Sequence, residues 1–140
     1  MTAMRTGMAV LCGGAAGAVC RSEMDEWITN GLALSFPIGI LAVNVLGAFF
    51  MGLLAGAVSR SGKKMDTLFA LLGTGFLGGF TTFSTFSLNT FALWLADAPV
   101  HAVVNVALHL LLGLPAAGIG YALSAPRHHA SPRSEEDETP

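Results

Sequence analysis

Charge is what this chain has least of. Asp, Glu, Lys and Arg make up 11% of its 140 residues, where an average soluble domain carries roughly 25%. The few charges are bunched: at Arg5, between Arg21 and Glu26, between Arg60 and Asp66, and from Arg127 onward. The stretches between the bunches are almost uncharged, which argues against a water-facing surface. A net charge of −2 and the lack of any basic patch with interleaved aromatics argue against a nucleic-acid partner. The two cysteines, Cys12 and Cys20, form neither a CxxC nor a metal-ligand spacing. They sit in an apolar stretch and read as small apolar residues. No GxxxxGK[ST] occurs, so the sequence signals no nucleotide-driven pump.

Apolar residues, at 53%, fill the gaps between charges and form four long runs, at about 6–27, 35–58, 67–95 and 100–125. A hydrocarbon core of ~30 Å is crossed by about 20 helical residues, so each run is long enough to span. The first run alone, with Arg5 before it, has the look of a secretory signal. Three further spans follow, however, so it is expected to be a helix running past Arg21 to Trp27, an interfacial anchor. Pro37 suits the first turn of the second helix, Asp97 and Pro99 end the third, and Pro115 is placed to kink the fourth. The expected fold is all-α and integral to the lipid bilayer: a four-helix unit over residues 1–125 and a disordered polar tail over 126–140. Small residues recur at GxxxG spacing in Gly13 and Gly17, Gly52 and Gly56, and Gly75 and Gly79, which predicts close helix contacts.

Polar groups in the middle of a span need a reason, because lipid does not satisfy them. Asn44 interrupts the second run; it either bonds the backbone of a neighbouring helix or offers an amide N–H to an anion. In the third run, Gly78 and Gly79 are followed by a cluster of hydroxyl residues, Thr81, Thr82, Ser84, Thr85 and Ser87. Paired glycines before hydroxyls are poor material for a continuous helix, so a break is expected between Gly78 and Thr82. Backbone freed there cannot face lipid and must be buried or line a polar site. Phe83 and Phe86 are three apart and so are neighbours on one face. The edge of an aromatic ring is positive. Two such edges beside the hydroxyls of Thr82 and Ser84 suit a small, strongly hydrated anion. In the fourth run His101, Asn105 and His109 recur every four residues and share a face.

GFLGGFTTFSTFS (75–87) closely resembles the third-helix signature of the Fluc (CrcB-like) fluoride channels. GGAAGAVCR (13–21), PIGILAVNVLGAFFMG (37–52) and, more weakly, Gly113 and Gly120 extend the resemblance over all four spans. It implies an antiparallel dimer with two fluoride pores in a bacterial inner membrane, exporting fluoride passively. Phe83 and Phe86 would line the pore, with Asn44 as its polar residue and Arg21 near a vestibule. Gly78 and Thr81 would give backbone carbonyls to a structural sodium ion. The family favours hydroxyl residues along the fourth helix, where this chain has His109 and Gly113.

The main rival, a small multidrug-type proton-coupled cation transporter, needs a carboxylate in mid-membrane. Glu23, Asp25 and Glu26 instead cluster at a helix end. An intramembrane enzyme built on His101 and His109 lacks a carboxylate partner, and none is expected. With four spans, Arg5, Arg60, Lys63, Lys64, Arg127 and Arg133 fall on one side and at most Arg21 on the other. That bias favours insertion with both termini in the cytoplasm. It leaves open a homodimer with a minority of inverted copies or a heterodimer with an oppositely oriented paralogue.

Overall fold

A computed structural model describes residues 2–32, 36–61 and 66–126. Lys63, Lys64 and the tail beyond Pro126, expected to be disordered, lie outside the described residues. The described residues are helical almost throughout, and four helices are long and apolar enough to cross a membrane.

The first helix, Thr2–Leu32, has 31 residues and is therefore about 46 Å long. That exceeds a hydrocarbon core of ~30 Å, so the end carrying Arg21, Glu23, Asp25, Glu26 and Trp27 can reach the interface. The second helix, Ile38–Ser61, starts just after Pro37 and the fourth runs over Pro99–Ser124, with Pro99 in its first turn. Both prolines sit where a missing N–H costs nothing. Pro115 lies inside the fourth helix, which continues across it.

The third span, Thr67–Leu95, is irregular. An α-helical turn at Asp66–Phe69 leads into a π-helix at Ala70–Leu77, then a short turn at Gly78–Phe80 and an α-helix at Phe83–Leu95. At the end of the wide turn the Gly78 N–H reaches the carbonyl of Gly73, five residues back, as well as that of Gly75. Thr81 (φ −75°, ψ 153°) and Thr82 (φ −147°, ψ 122°) are extended. The span nevertheless keeps its direction, bending by 13° in all.

Backbone-to-backbone approach at glycine joins the helices into two pairs. Gly13 and Gly17 of the first helix lie against the backbone of Leu71, Phe76 and Phe80, while Gly75 and Gly79 answer on Gly13 and Gly14. Gly52 and Gly56 of the second helix lie against Ala117, Tyr121 and Ser124 of the fourth, and Gly120 answers on Phe49 and Leu53. All three GxxxG pairs are thus at helix contacts. The Ser124 hydroxyl adds a bond to the Leu53 carbonyl at 2.6 Å. Ile40, Val43 and Ala102 are buried between helices, whereas Leu11, Val19, Leu111 and Leu114 face outward, as lipid-facing residues do.

Two alanine substitutions separated by half a turn test this packing. A methyl on Gly120 would strike the backbone of Phe49 and Leu53, while one on Gly118 meets nothing within 4 Å. Gly120→Ala is expected to destabilise the protein by about 1–3 kcal/mol and Gly118→Ala to change it little, read by thermal unfolding in detergent. Equal effects from the two would reject the close approach.

Candidate functional site

The extended pair Thr81 and Thr82 takes two peptide groups out of the helical ladder. Thr82 is buried, so its backbone needs partners inside the protein. Asn44 supplies both: its Nδ2 donates to the Thr82 carbonyl at 3.0 Å, and the Thr82 N–H donates to Asn44 Oδ1 at 2.8 Å. One primary amide thus pairs with both backbone groups of one residue, as the facing residue of an antiparallel strand would. Of the two readings open for Asn44, the backbone bond is therefore made. It uses one of the two Nδ2 protons and leaves the second available.

Beyond the interruption the helix restarts with Thr82 as its N-cap. Its Oγ1 accepts from the Thr85 N–H at 3.2 Å and donates to Thr85 Oγ1 at 3.1 Å. Ser84 Oγ lies 3.2 Å from the same oxygen. These bonds redirect donors. In an unbroken helix the Thr82 N–H would close on the Gly78 carbonyl and the Thr85 N–H on that of Thr81. Here the first is held by Asn44 and the second by the Thr82 hydroxyl. Thr81 turns back, with its N–H and its hydroxyl both donating to the Leu77 carbonyl at 2.9 Å.

Phe83 and Phe86 follow at once. Their ring centroids are 5.6 Å apart and the planes tilted by 50°. Phe83 is 79% exposed, whereas Phe86 is half-buried, its ring centroid 4.4 Å from that of His109. Asn44, Thr81, Thr82, Phe83, Phe86 and His109 all line one open cavity of about 600 Å³. Ser84 stands beside it through its contact with Thr82. Gly78 and Arg21 are not in its lining; Arg21 is half-buried on the first helix.

The fourth helix carries a second set of polar contacts. Asn105, fully buried, donates from Nδ2 to Thr90 Oγ1 at 2.8 Å, and the Thr90 hydroxyl donates to the Phe86 carbonyl at 2.8 Å. His109 Nδ1 lies 2.8 Å from the Asn105 carbonyl. His101, exposed, lies near Phe36, with centroids 6.4 Å apart. The cavity residues Gly47, Ala48 and Met51 and the bridging Thr90 were not singled out from the sequence. None carries a mark that separates it from ordinary span residues. Asn105 did carry one, as an amide in an apolar helix.

Residues 8–121 match the family described as CrcB-like protein, Camphor Resistance (CrcB). A protein of Erythrobacter litoralis named fluoride-specific ion channel FluC is 42% identical over 120 residues, covering 82% of this chain and 88% of the relative. A Rhizobium etli protein of the same name is 40% identical over 114 residues, 81% of this chain and 91% of the relative. One from Vibrio campbellii, likewise so named, is 40% identical over 114 residues, 81% and 90% of the two chains. The four spans, the cavity where the second, third and fourth helices meet, and likeness over nearly its whole described length make this chain a member of the CrcB-like family.

Proposed function

We propose that this chain is the subunit of a fluoride-specific ion channel in a bacterial inner membrane, one that lets cytoplasmic fluoride leave passively and so limits its toxicity. The observation that carries this reading is the cavity in which the Phe83 and Phe86 rings stand beside Asn44 and Thr82. Relatives at 40–42% identity are named fluoride-specific ion channels.

The chemistry is one of partial dehydration. Hydrogen fluoride crosses lipid as a neutral acid and ionises in a more alkaline cytoplasm. The trapped anion then leaves down its gradient if its water shell is replaced by fixed positive dipoles. Ring edges at Phe83 and Phe86, the second Nδ2 proton of Asn44 and the Ser84 hydroxyl are such dipoles. No carboxylate lines the cavity among the described residues to repel an anion. Arg21, near the polar end of the first helix, would add positive potential at a vestibule.

The two-residue interruption at Thr81 and Thr82 acts in this reading as the break of the third helix. The carbonyls of Gly78 and Thr81, whose helical donors are engaged elsewhere, would hold a structural sodium ion, with no carboxylate beside them to favour a divalent one. The working unit is an antiparallel dimer, a homodimer in preference to a heterodimer, its partner covering apolar residues left exposed here. Thermal stability in sodium against N-methylglucamine reads the ion site; no difference would remove it. Cross-linking in the membrane reads the dimer.

The decisive experiment is efflux from proteoliposomes followed with a fluoride electrode. Rapid, voltage-driven loss of fluoride with chloride retained supports the channel. Release no faster than from protein-free vesicles rejects it. Proton-driven uptake of an organic cation by the same vesicles would establish the rival transporter.

A further inference from the structure

The two rings of the cavity follow each other between two amides that belong to different helices. Asn44, from the second helix, holds the backbone of Thr82 just before Phe83. Asn105, from the fourth helix and fully buried, reaches Phe86 by two routes. Its Nδ2 donates to Thr90 Oγ1 at 2.8 Å, and that hydroxyl donates to the Phe86 carbonyl at 2.8 Å. Its main-chain carbonyl can only accept, so His109 Nδ1, 2.8 Å away, donates to it. The His109 ring in turn packs on that of Phe86, centroids 4.4 Å apart. One residue thus ties down both the backbone and the ring of Phe86. Neither Asn105 nor Thr90 lines the cavity itself.

Stability alone is a poor account of this amide. Asn105 Oδ1 is buried with no hydrogen-bond partner among the described residues, a cost that a leucine of similar shape would avoid. What leucine cannot supply is direction. A hydrogen bond weakens steeply away from its preferred line, so the bond to Thr90 fixes how the helix after Thr82 is turned against the fourth. We propose that Asn105 and Thr90 are positioning residues for fluoride passage, a reading that rests on the channel function above. They touch no ion. They hold Phe86 where its ring stands beside Phe83, Asn44 and Thr82 in the cavity. Groups that replace the water of an ion act by position, as catalytic groups do, and small displacements of them are costly.

The test removes the link as a pair. Thr90→Val combined with Asn105→Leu replaces both polar groups by apolar ones of similar shape, so no buried donor is stranded. It keeps the main-chain carbonyl that receives His109. The pair variant is expected to unfold in detergent near the native temperature, while fluoride efflux from its proteoliposomes slows about tenfold, as for the loss of one hydrogen bond's alignment. Thr90→Ser keeps the hydroxyl and should stay within about twofold of the native rate. In a Phe86→Ala background no ring is left to hold, and adding the pair should change the remaining flux by less than about twofold. Native flux through the folded pair variant would overturn the proposal. So would a serine variant as slow as the pair, or a full further loss on top of Phe86→Ala. A pair variant that does not fold would overturn it too, by giving the link a structural part instead. A native chain that conducts no fluoride sinks the channel reading as well; a conducting native chain with an undiminished pair variant sinks only the positioning role.

Discussion

Alanine at both Phe83 and Phe86 is expected to reduce fluoride efflux from proteoliposomes to the rate of protein-free vesicles. The two rings lie side by side, centroids 5.6 Å apart, at the start of the helix that restarts after Thr82. A fluoride ion leaving water there needs replacement partners, and apolar helices offer few. If each ring edge contributes as a hydrogen bond to a charged group does, about 1.5–3 kcal/mol, losing both slows passage by at least about a hundredfold. The single variants should fall between. Phe83, 79% exposed, supports little of the subunit's own packing, so its loss should not unfold the chain. Phe86 touches His109 and is expected to cost more stability. Size-exclusion chromatography in detergent checks that the assembly persists. Undiminished flux through a folded double variant would show that the rings only pack.

Asn44→Ala is expected to carry the second large effect, and mainly on stability. The substitution strands the Thr82 N–H and carbonyl together, and Thr82 is buried, so no other group of the protein replaces the lost amide. At about 1–3 kcal/mol for each orphaned group, the cost is about 2–6 kcal/mol. A small subunit has little more than that to lose. Asn44→Asp separates structure from conduction. The carboxylate still accepts from the Thr82 N–H but cannot donate to its carbonyl, and it sets a negative charge on the cavity wall. It should therefore unfold at a denaturant concentration between those of the alanine variant and the native chain, yet pass no fluoride. An alanine variant as stable as the native chain would remove the clamp from the account.

The spans were legible because apolar length and charge position are properties of the chain itself. So were the glycine contacts, since GxxxG spacing aligns small residues on one face whatever the neighbour is. Asn44 was legible as a polar group needing a partner, but not as a clamp on Thr82. That pairing depends on how the second helix sits beside the third, which spacing within either cannot state. Thr90 was passed over for the same reason: its bond to Asn105 joins residues fifteen apart on two helices. The irregular third span was only half visible. Gly78, Gly79 and the hydroxyls led to the expectation of a broken third helix; the span instead runs on with a bend of 13°, only Thr81 and Thr82 are extended, and Asn44 takes up the Thr82 backbone groups. The π-helix had no mark at all. In ALLGTGFL nearly every residue is apolar or small, so a wider turn leaves the same pattern as an ordinary one.

That stretch, Ala70–Leu77, has a consequence for how the chain can change length. A π turn closes on the fifth residue where an α turn closes on the fourth, so it accommodates one residue more. Removing a residue there would let the stretch relax into an α-helix, and everything after it would keep its place, because the residue lost is the one the wide turn had taken in. Removing one from the α-helix that follows Thr82 would instead turn everything beyond it by about 100° around the axis and shift it by about 1.5 Å, parting Phe86 from His109. A deletion can be absorbed inside the stretch; beyond it, none can. From Phe83 on, the residue count works as a ruler, and the wide turn upstream is where a residue can be lost without moving it.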